Sequence, residues 1–121
     1  MKLKIIGLLA LLMVGLSAHA KDRTVVGRLV GGGGIDDNFL TIVDSKGWFG
    51  KKGREITAYC KISECDKLFQ HGADDLMELK PNYKGENAAV ILTRRANNDE
   101  IAGPANDEML YFVKKIKWIG K

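Results

Sequence analysis

The chain has 121 residues, and its 19 lysines and arginines against 15 aspartates and glutamates give a formal net charge of +4. Removal of a short N-terminal leader would take away two lysines, leaving 17 basic residues against 15 acidic ones and a net charge of +2. So small an excess excludes nucleic-acid binding driven by the charge of the whole molecule, and any electrostatic function must be local. The length fits a single domain.

The first 20 residues have the pattern of a cleavable bacterial export signal. Lysines at positions 2 and 4 precede an apolar stretch over residues 5–16, and Ala18 and Ala20 stand at the spacing that signal peptidase reads. The apolar stretch is shorter than the roughly 18 residues that a membrane-spanning helix needs. We therefore predict a signal peptide over residues 1–20, a mature domain over 21–121 in the periplasm or outside the cell, and no transmembrane anchor.

The first half of the mature chain predicts three strands. Residues 24–30 and 39–43 are rich in β-branched residues, and residues 54–61 alternate between apolar and polar side chains. Between the first two strands, the four glycines at 31–34 and the polar residues after them predict a flexible turn. A phosphate-binding role for this glycine run is disfavoured because Asp36 and Asp37 follow it, where a Walker motif needs lysine and a hydroxyl residue.

A helical segment is predicted next. Ser63 can cap a helix on which Cys65, Leu68 and Phe69 share one face, and residues 73–80 offer a further turn or two before Pro81. The two cysteines of the chain, Cys60 and Cys65, are predicted to form a disulfide because an exported protein meets an oxidising environment. Their spacing is not the C-x-x-C of a redox motif, and a metal site would need more ligands nearby.

Two more strands, over residues 87–95 and 108–119, flank a polar loop. In the last strand Lys114 interrupts the apolar parity, which predicts a bulge or a strand with two apolar faces. Three strands, a helix and two strands are the element order of a five-stranded antiparallel OB-fold barrel. In this order the chain resembles small secreted OB-fold-like proteins of bacteria. An open antiparallel sheet with one packed helix is the alternative.

The predicted core consists of apolar residues at positions that fit strand or helix periodicity. Its members are Val26, Leu40, Ile42, Ile56, Ala58, Leu68, Phe69, Val90, Leu92, Phe112 and Ile116.

No catalytic or cofactor motif is present, so we predict a protein that is not an enzyme and holds no cofactor. The mature serines, Ser45 and Ser63, lie outside any G-x-S-x-G pattern.

Acidic clusters at 36–38, 98–100 and 106–108 lack the spacing of a calcium-binding loop. Solvated turns are the preferred interpretation of these clusters, with calcium at 98–108 as the alternative.

The most informative segment is a glycine-rich stretch in which two aromatic rings lie among four cations. Such a stretch suits stacking on a ring or contact with an anionic surface. Alternatively, a ring folds back over the sheet and the charges form a solvated rim. We predict a binding site, and hence a binding module for an anionic glycan, a nucleic acid or a protein; an inhibitor or immunity-type protein that blocks a partner enzyme is the alternative. The predicted binding residues are Lys46, Trp48, Phe49, Lys51, Lys52 and Arg54.

Overall fold

The computed structural model of the protein describes residues 22–47 and 50–120. The predicted signal peptide, the predicted first mature residue Lys21, and the two rings Trp48 and Phe49 lie outside the described residues, so the predictions made for them stay predictions. No helix among the described residues is long and apolar enough to cross a membrane.

Seven strands and two short 3-10 turns make up the described chain. The turns span Ser63–Lys67 and Ala73–Asp75. The strands are β1 (Asp22–Gly34), β2 (Phe39–Asp44), β3 (Glu55–Tyr59), β4 (Phe69–His71), β5 (Met77–Leu79), β6 (Asn87–Ala96) and β7 (Met109–Trp118).

Five of these strands close into a barrel. The neighbours run β1-β2-β3-β7-β6 and return to β1, which is the strand order expected of the predicted OB-fold-like barrel, so the fold is confirmed and the open sheet is not formed. One detail of the prediction is wrong, because the barrel is mixed rather than fully antiparallel. β3 and β7 run parallel and are joined only through Tyr59 and Phe112.

The predicted helix between the third and fourth barrel strands is reduced to 3-10 turns. Ser63 begins the first turn, but Phe69 leaves it to pair with Leu79 in the β4–β5 hairpin. Backbone pairing to β1 explains the difference, because β5 hydrogen-bonds to the end of β1 and extends the sheet beyond the barrel. Residues 73–80, predicted as helical, therefore contribute the second 3-10 turn and the strand β5 instead.

The glycine run at 31–34 is strand rather than flexible turn, which corrects the prediction. Gly33 is paired with Phe39 of β2 on one side and with Glu78 of β5 on the other. Its φ of +139° suits glycine alone, and a Cβ added there would lie 2.0 Å from the carbonyl oxygen of Met77. The run therefore lets three backbones approach closely where β1 changes partners.

The barrel interior is filled largely by the residues predicted from periodicity. Leu40, Ile42, Ala58, Val90 and Leu92 are fully buried, and the remaining predicted core residues are buried too, apart from Val26. The prediction for Val26 is wrong by one residue: Val25 and Leu29 point inward instead. Val25 pairs with the buried Val90, whereas Val26 pairs with the half-exposed Ala89 on the outer face.

Two local predictions are confirmed. Between β6 and β7 the register passes from Ile91 opposite Lys115 to Leu92 opposite Val113, so Lys114 is the extra residue of a bulge. Cys60 and Cys65 form a disulfide with their Cα atoms 5.8 Å apart, within the range such a bond requires. The disulfide joins the end of β3 to the first 3-10 turn.

Candidate functional site

The predicted binding cations lie together on the connection between β2 and β3, which we call the basic loop (residues 45–54). Lys46, Lys51, Lys52 and Arg54 are all exposed. The ten residues of the loop include no aspartate or glutamate, so its formal charge is +4. The structure therefore brings four of the six predicted binding residues onto one exposed loop, and the other two, Trp48 and Phe49, lie outside the described residues.

A buried carboxylate organises the start of the basic loop. Asp44 is the last residue of β2 and is fully buried. Its Oδ1 accepts hydrogen bonds from the backbone N–H groups of Lys46 at 3.0 Å and Gly47 at 2.9 Å. This is the local turn that an aspartate side chain favours, and it satisfies two donors that would otherwise depend on water.

The base of the basic loop is tied to the barrel by backbone hydrogen bonds. Asp44 and Arg54 pair at the loop's neck, where the N–H of Asp44 donates to the carbonyl of Arg54 at 2.9 Å. Gly53 donates to the carbonyl of Asp44 at 2.7 Å, and Ser45 donates through both its N–H and its hydroxyl to the carbonyl of Val26. The loop therefore leaves the barrel in a defined direction.

A cleft of about 310 Å³ opens beside the neck of the basic loop. It lies where β3 is unpaired with β7 over residues 55–57, since the two strands meet only at Tyr59 and Phe112. Arg23 of β1 and Arg54 of the basic loop both line the cleft. The lining residues are Arg23, Arg54, Glu55, Ile56, Thr57 and Tyr111.

The connection between β6 and β7, the acidic loop (residues 97–108), is organised around a buried amide. Asn97 is fully buried. Its Nδ2 donates to the carbonyls of Ile101 and Pro104, each at 2.9 Å, and its Oδ1 accepts from the N–H of Ile101 at 2.7 Å. One side chain thus holds three backbone groups that are four to seven residues away in the chain.

The acidic loop is also docked on loop 35–38 at the start of β2. Asp37 accepts hydrogen bonds from the N–H of Ala102 at 3.2 Å and from Lys61 Nζ at 2.7 Å. The hydrogen bond from Lys61 lowers the pKa of the Asp37 carboxyl below its usual value. On the other side, Glu100 forms an ion pair with Arg95, whose guanidinium lies 3.7 Å from the centre of the Phe112 ring.

Two of the acidic residues singled out in the sequence, Asp37 and Glu100, take part in this docking. Within residues 22–47 and 50–120, no group of three or more histidine, cysteine, aspartate and glutamate side chains is arranged to hold a metal ion. In the segment considered for calcium, Glu100 is committed to Arg95, and the fold of the loop rests on the neutral amide of Asn97. The acidic loop is therefore a shaped protein surface.

Sequence reasoning missed the two buried polar residues that organise these loops. Asp44 carried a usable signal, since aspartate before Ser-Lys-Gly is typical of a turn in which the side chain accepts backbone N–H groups. Asn97 carried none, because its partners become neighbours only when the acidic loop folds back on itself.

Comparison with protein-family models, curated proteins and solved structures found no match to the chain. We therefore infer a function from the barrel and its loops, and the resemblance to small secreted bacterial OB-fold-like proteins stays a prediction.

Proposed function

We propose that the protein is an exported, non-enzymatic binding module that engages an anionic polymer through the basic loop. The supporting observation is that Lys46, Lys51, Lys52 and Arg54 are exposed within ten residues that contain no acidic side chain. Repeated anions along a polymer can each meet one of these cations, and the released counterions drive the association.

The fixed base of the loop favours this function. The Asp44 carboxylate and the backbone bonds at the neck already order the residues that carry Lys46 and Arg54. Less conformational entropy is then lost when a partner binds, so more of the interaction energy appears as affinity. The neighbouring cleft, which Arg23 and Arg54 line, gives the polymer a continuation of the basic surface.

The two rings within the loop complete the proposed site. Trp48 and Phe49 stand between the cations in the sequence, where they would stack on bases or sugar rings of the polymer. Export is proposed from the N-terminal signal pattern, and the Cys60–Cys65 disulfide fits an oxidising compartment.

The decisive experiment measures affinity for three polyanions of different chemistry: heparin, single-stranded DNA and polyglutamate. The variant Lys51→Glu/Lys52→Glu should weaken binding of the preferred polymer by at least about tenfold and flatten the dependence of log affinity on log salt concentration by about 1.5 to 2, for two lost contacts. Lys115→Glu/Lys117→Glu, on exposed positions of β7, changes the net charge equally and is the control. Equal losses in both variants, or no binding by the native protein, would refute the proposal.

The contribution of the ring at position 48 is measured separately. Trp48→Ala should leave the unfolding free energy nearly unchanged and remove about 1 to 3 kcal/mol of polymer binding, the range for a stacked base. A variant that unfolds would place the ring in the core and reduce the site to its cations.

A second candidate function, an inhibitor or immunity-type protein, is favoured by the preorganised acidic loop. Asn97 and Asp37 hold this loop rigidly to the barrel while its aspartates face outward, as suits a surface that meets a basic enzyme cleft. Ionic strength separates the two functions: a polyanion complex weakens steeply with salt, whereas a tight protein interface with a buried centre weakens less.

A further inference from the structure

Opposite charges lie at the two ends of the β2–β3 hairpin. The basic loop follows the end of β2, while loop 35–38 precedes its start and the acidic loop docks there through Asp37. β2 has six residues, which at about 3.3 Å per residue places the two charged ends about 20 Å apart. Four acids at that end form no ion pair within the described residues: Asp36, Asp99, Asp107 and Glu108.

The surface between the two ends is uncharged over most of its length. Leu40, Ile42, Ile56 and Ala58 point into the barrel, so the alternate residues of β2 and β3 face outward. The outward residues are Phe39, Thr41, Val43, Glu55, Thr57 and Tyr59, and all are at least partly exposed. Next to them, the Ile35 side chain is 71% exposed, an apolar group that a folded protein leaves in water at a cost.

This face is complementary to itself. A two-fold axis through the middle of the hairpin, near the Thr41–Thr57 contact, would bring the basic loop of one copy onto the acidic end of the other, and the reverse contact would form at the same time. We infer that the protein forms an antiparallel homodimer through the outer face of β2 and β3, in which each basic loop meets the acidic loop and loop 35–38 of the second copy.

The dimer goes beyond the proposed function and regulates it. The acidic end of one copy occupies the cations that an anionic polymer would use, so polymer binding and dimerisation compete. The acidic loop suits this role because Asn97 and Asp37 keep it ordered before the second copy arrives, which lowers the cost of association.

The test is sedimentation of the exported protein over a range of protein and salt concentrations. At low salt the native protein should show a concentration-dependent species of twice the monomer mass, and its dissociation constant should rise at least about tenfold at high salt. Cancelling the net charge of the basic loop with Lys51→Glu/Lys52→Glu, or exchanging two acids of the acidic end for cations with Asp36→Lys/Asp107→Lys, should each give a monomer. Mixing the two variants should restore a dimer, because in the mixed pair one basic-to-acidic contact is native and in the other the substituted residues meet with exchanged signs.

Lys115→Glu/Lys117→Glu is the control, since it changes the charge on another face and should leave the dimer intact. A native protein that is monomeric throughout, or a mixture of the two variants that stays monomeric, would overturn the dimer. Heparin binding by the native protein, measured at a concentration where sedimentation shows only the monomer, then reports on the polymer site alone. Binding supports the proposed function even if the dimer fails, and absence of binding counts against that function without bearing on the dimer.

Discussion

The basic loop and the acidic loop are each held by a buried polar side chain, but the two loops differ in charge and in how much of the loop is held. A fully buried polar residue lies where each loop leaves its strand: Asp44 is the last residue of β2, and Asn97 directly follows β6. Each side chain binds backbone groups of its own loop. The loops have opposite composition, with four cations and no acid in one and four acids and no cation in the other.

The difference lies in how far along the loop the buried residue reaches. Asp44 binds the N–H groups two and three residues ahead, at the base of the basic loop. Asn97 binds groups four and seven residues ahead, and Asp37 holds the same loop from outside. One loop is fastened at its base and presents its cations, while the other is fixed along its length and presents a shaped acidic surface.

The largest effect is expected at Asn97. Asn97→Ala leaves the carbonyls of Ile101 and Pro104 and the N–H of Ile101 without their partner, which should cost about 2 to 4 kcal/mol of unfolding free energy. Chemical denaturation measures this loss. Asn106→Ala, at an exposed position of the same loop, should change stability by less than about 0.5 kcal/mol; equal costs for the two variants would mean that the amide does not hold the loop.

The next largest effect follows reduction of the Cys60–Cys65 disulfide. Closing so short a loop constrains the unfolded chain by about 2 kcal/mol, so the reduced protein should stay folded but lose about that much stability. Because Cys60 follows directly after Tyr59, hydrogen exchange should accelerate at the end of β3 near the acidic loop. Acceleration confined to the basic loop would contradict this placement.

Asp44 should matter less than Asn97. Asp44→Ala removes the acceptor for Lys46 and Gly47, whose N–H groups lie near the surface and can turn to water, so we expect a cost of about 1 to 2 kcal/mol. Asp44→Asn keeps an acceptor oxygen and should recover part of this stability. A cost above that of Asn97→Ala, measured in the same denaturant, would reverse the comparison between the loops.

The smallest effect concerns pH. The folded-state pKa of Asp37 is lowered by Lys61, so the ion pair stabilises the protein above the ordinary aspartate pKa of about 4 and is lost as the pH falls through the lower folded-state value. Asp37→Asn should cost under about 1 kcal/mol at pH 6, and the difference from the native protein should shrink below pH 4. A difference that stays constant over this range would exclude the carboxylate as its source.

Local features of the sequence determined much of the fold. The β-branched runs predicted the barrel strands, because strand periodicity follows from which face is buried. The bulge at Lys114 was visible as a break in the alternation of apolar and polar residues. The disulfide was predicted from the two cysteines and the expected oxidising compartment. The basic loop was visible as a run of cations among glycines, which needs no tertiary contact to be recognised.

Tertiary structure decided what depended on distant partners. Val25 rather than Val26 faces the core because β6 sets the register of β1, and two adjacent valines carry no local sign of that choice. Gly33 is strand because β2 and β5 pair with it from both sides, whereas four glycines alone indicate a turn. Asn97 became an organising residue only when residues 101 and 104 folded back onto it, since a buried hydrogen bond is fixed by the partners that folding brings within reach.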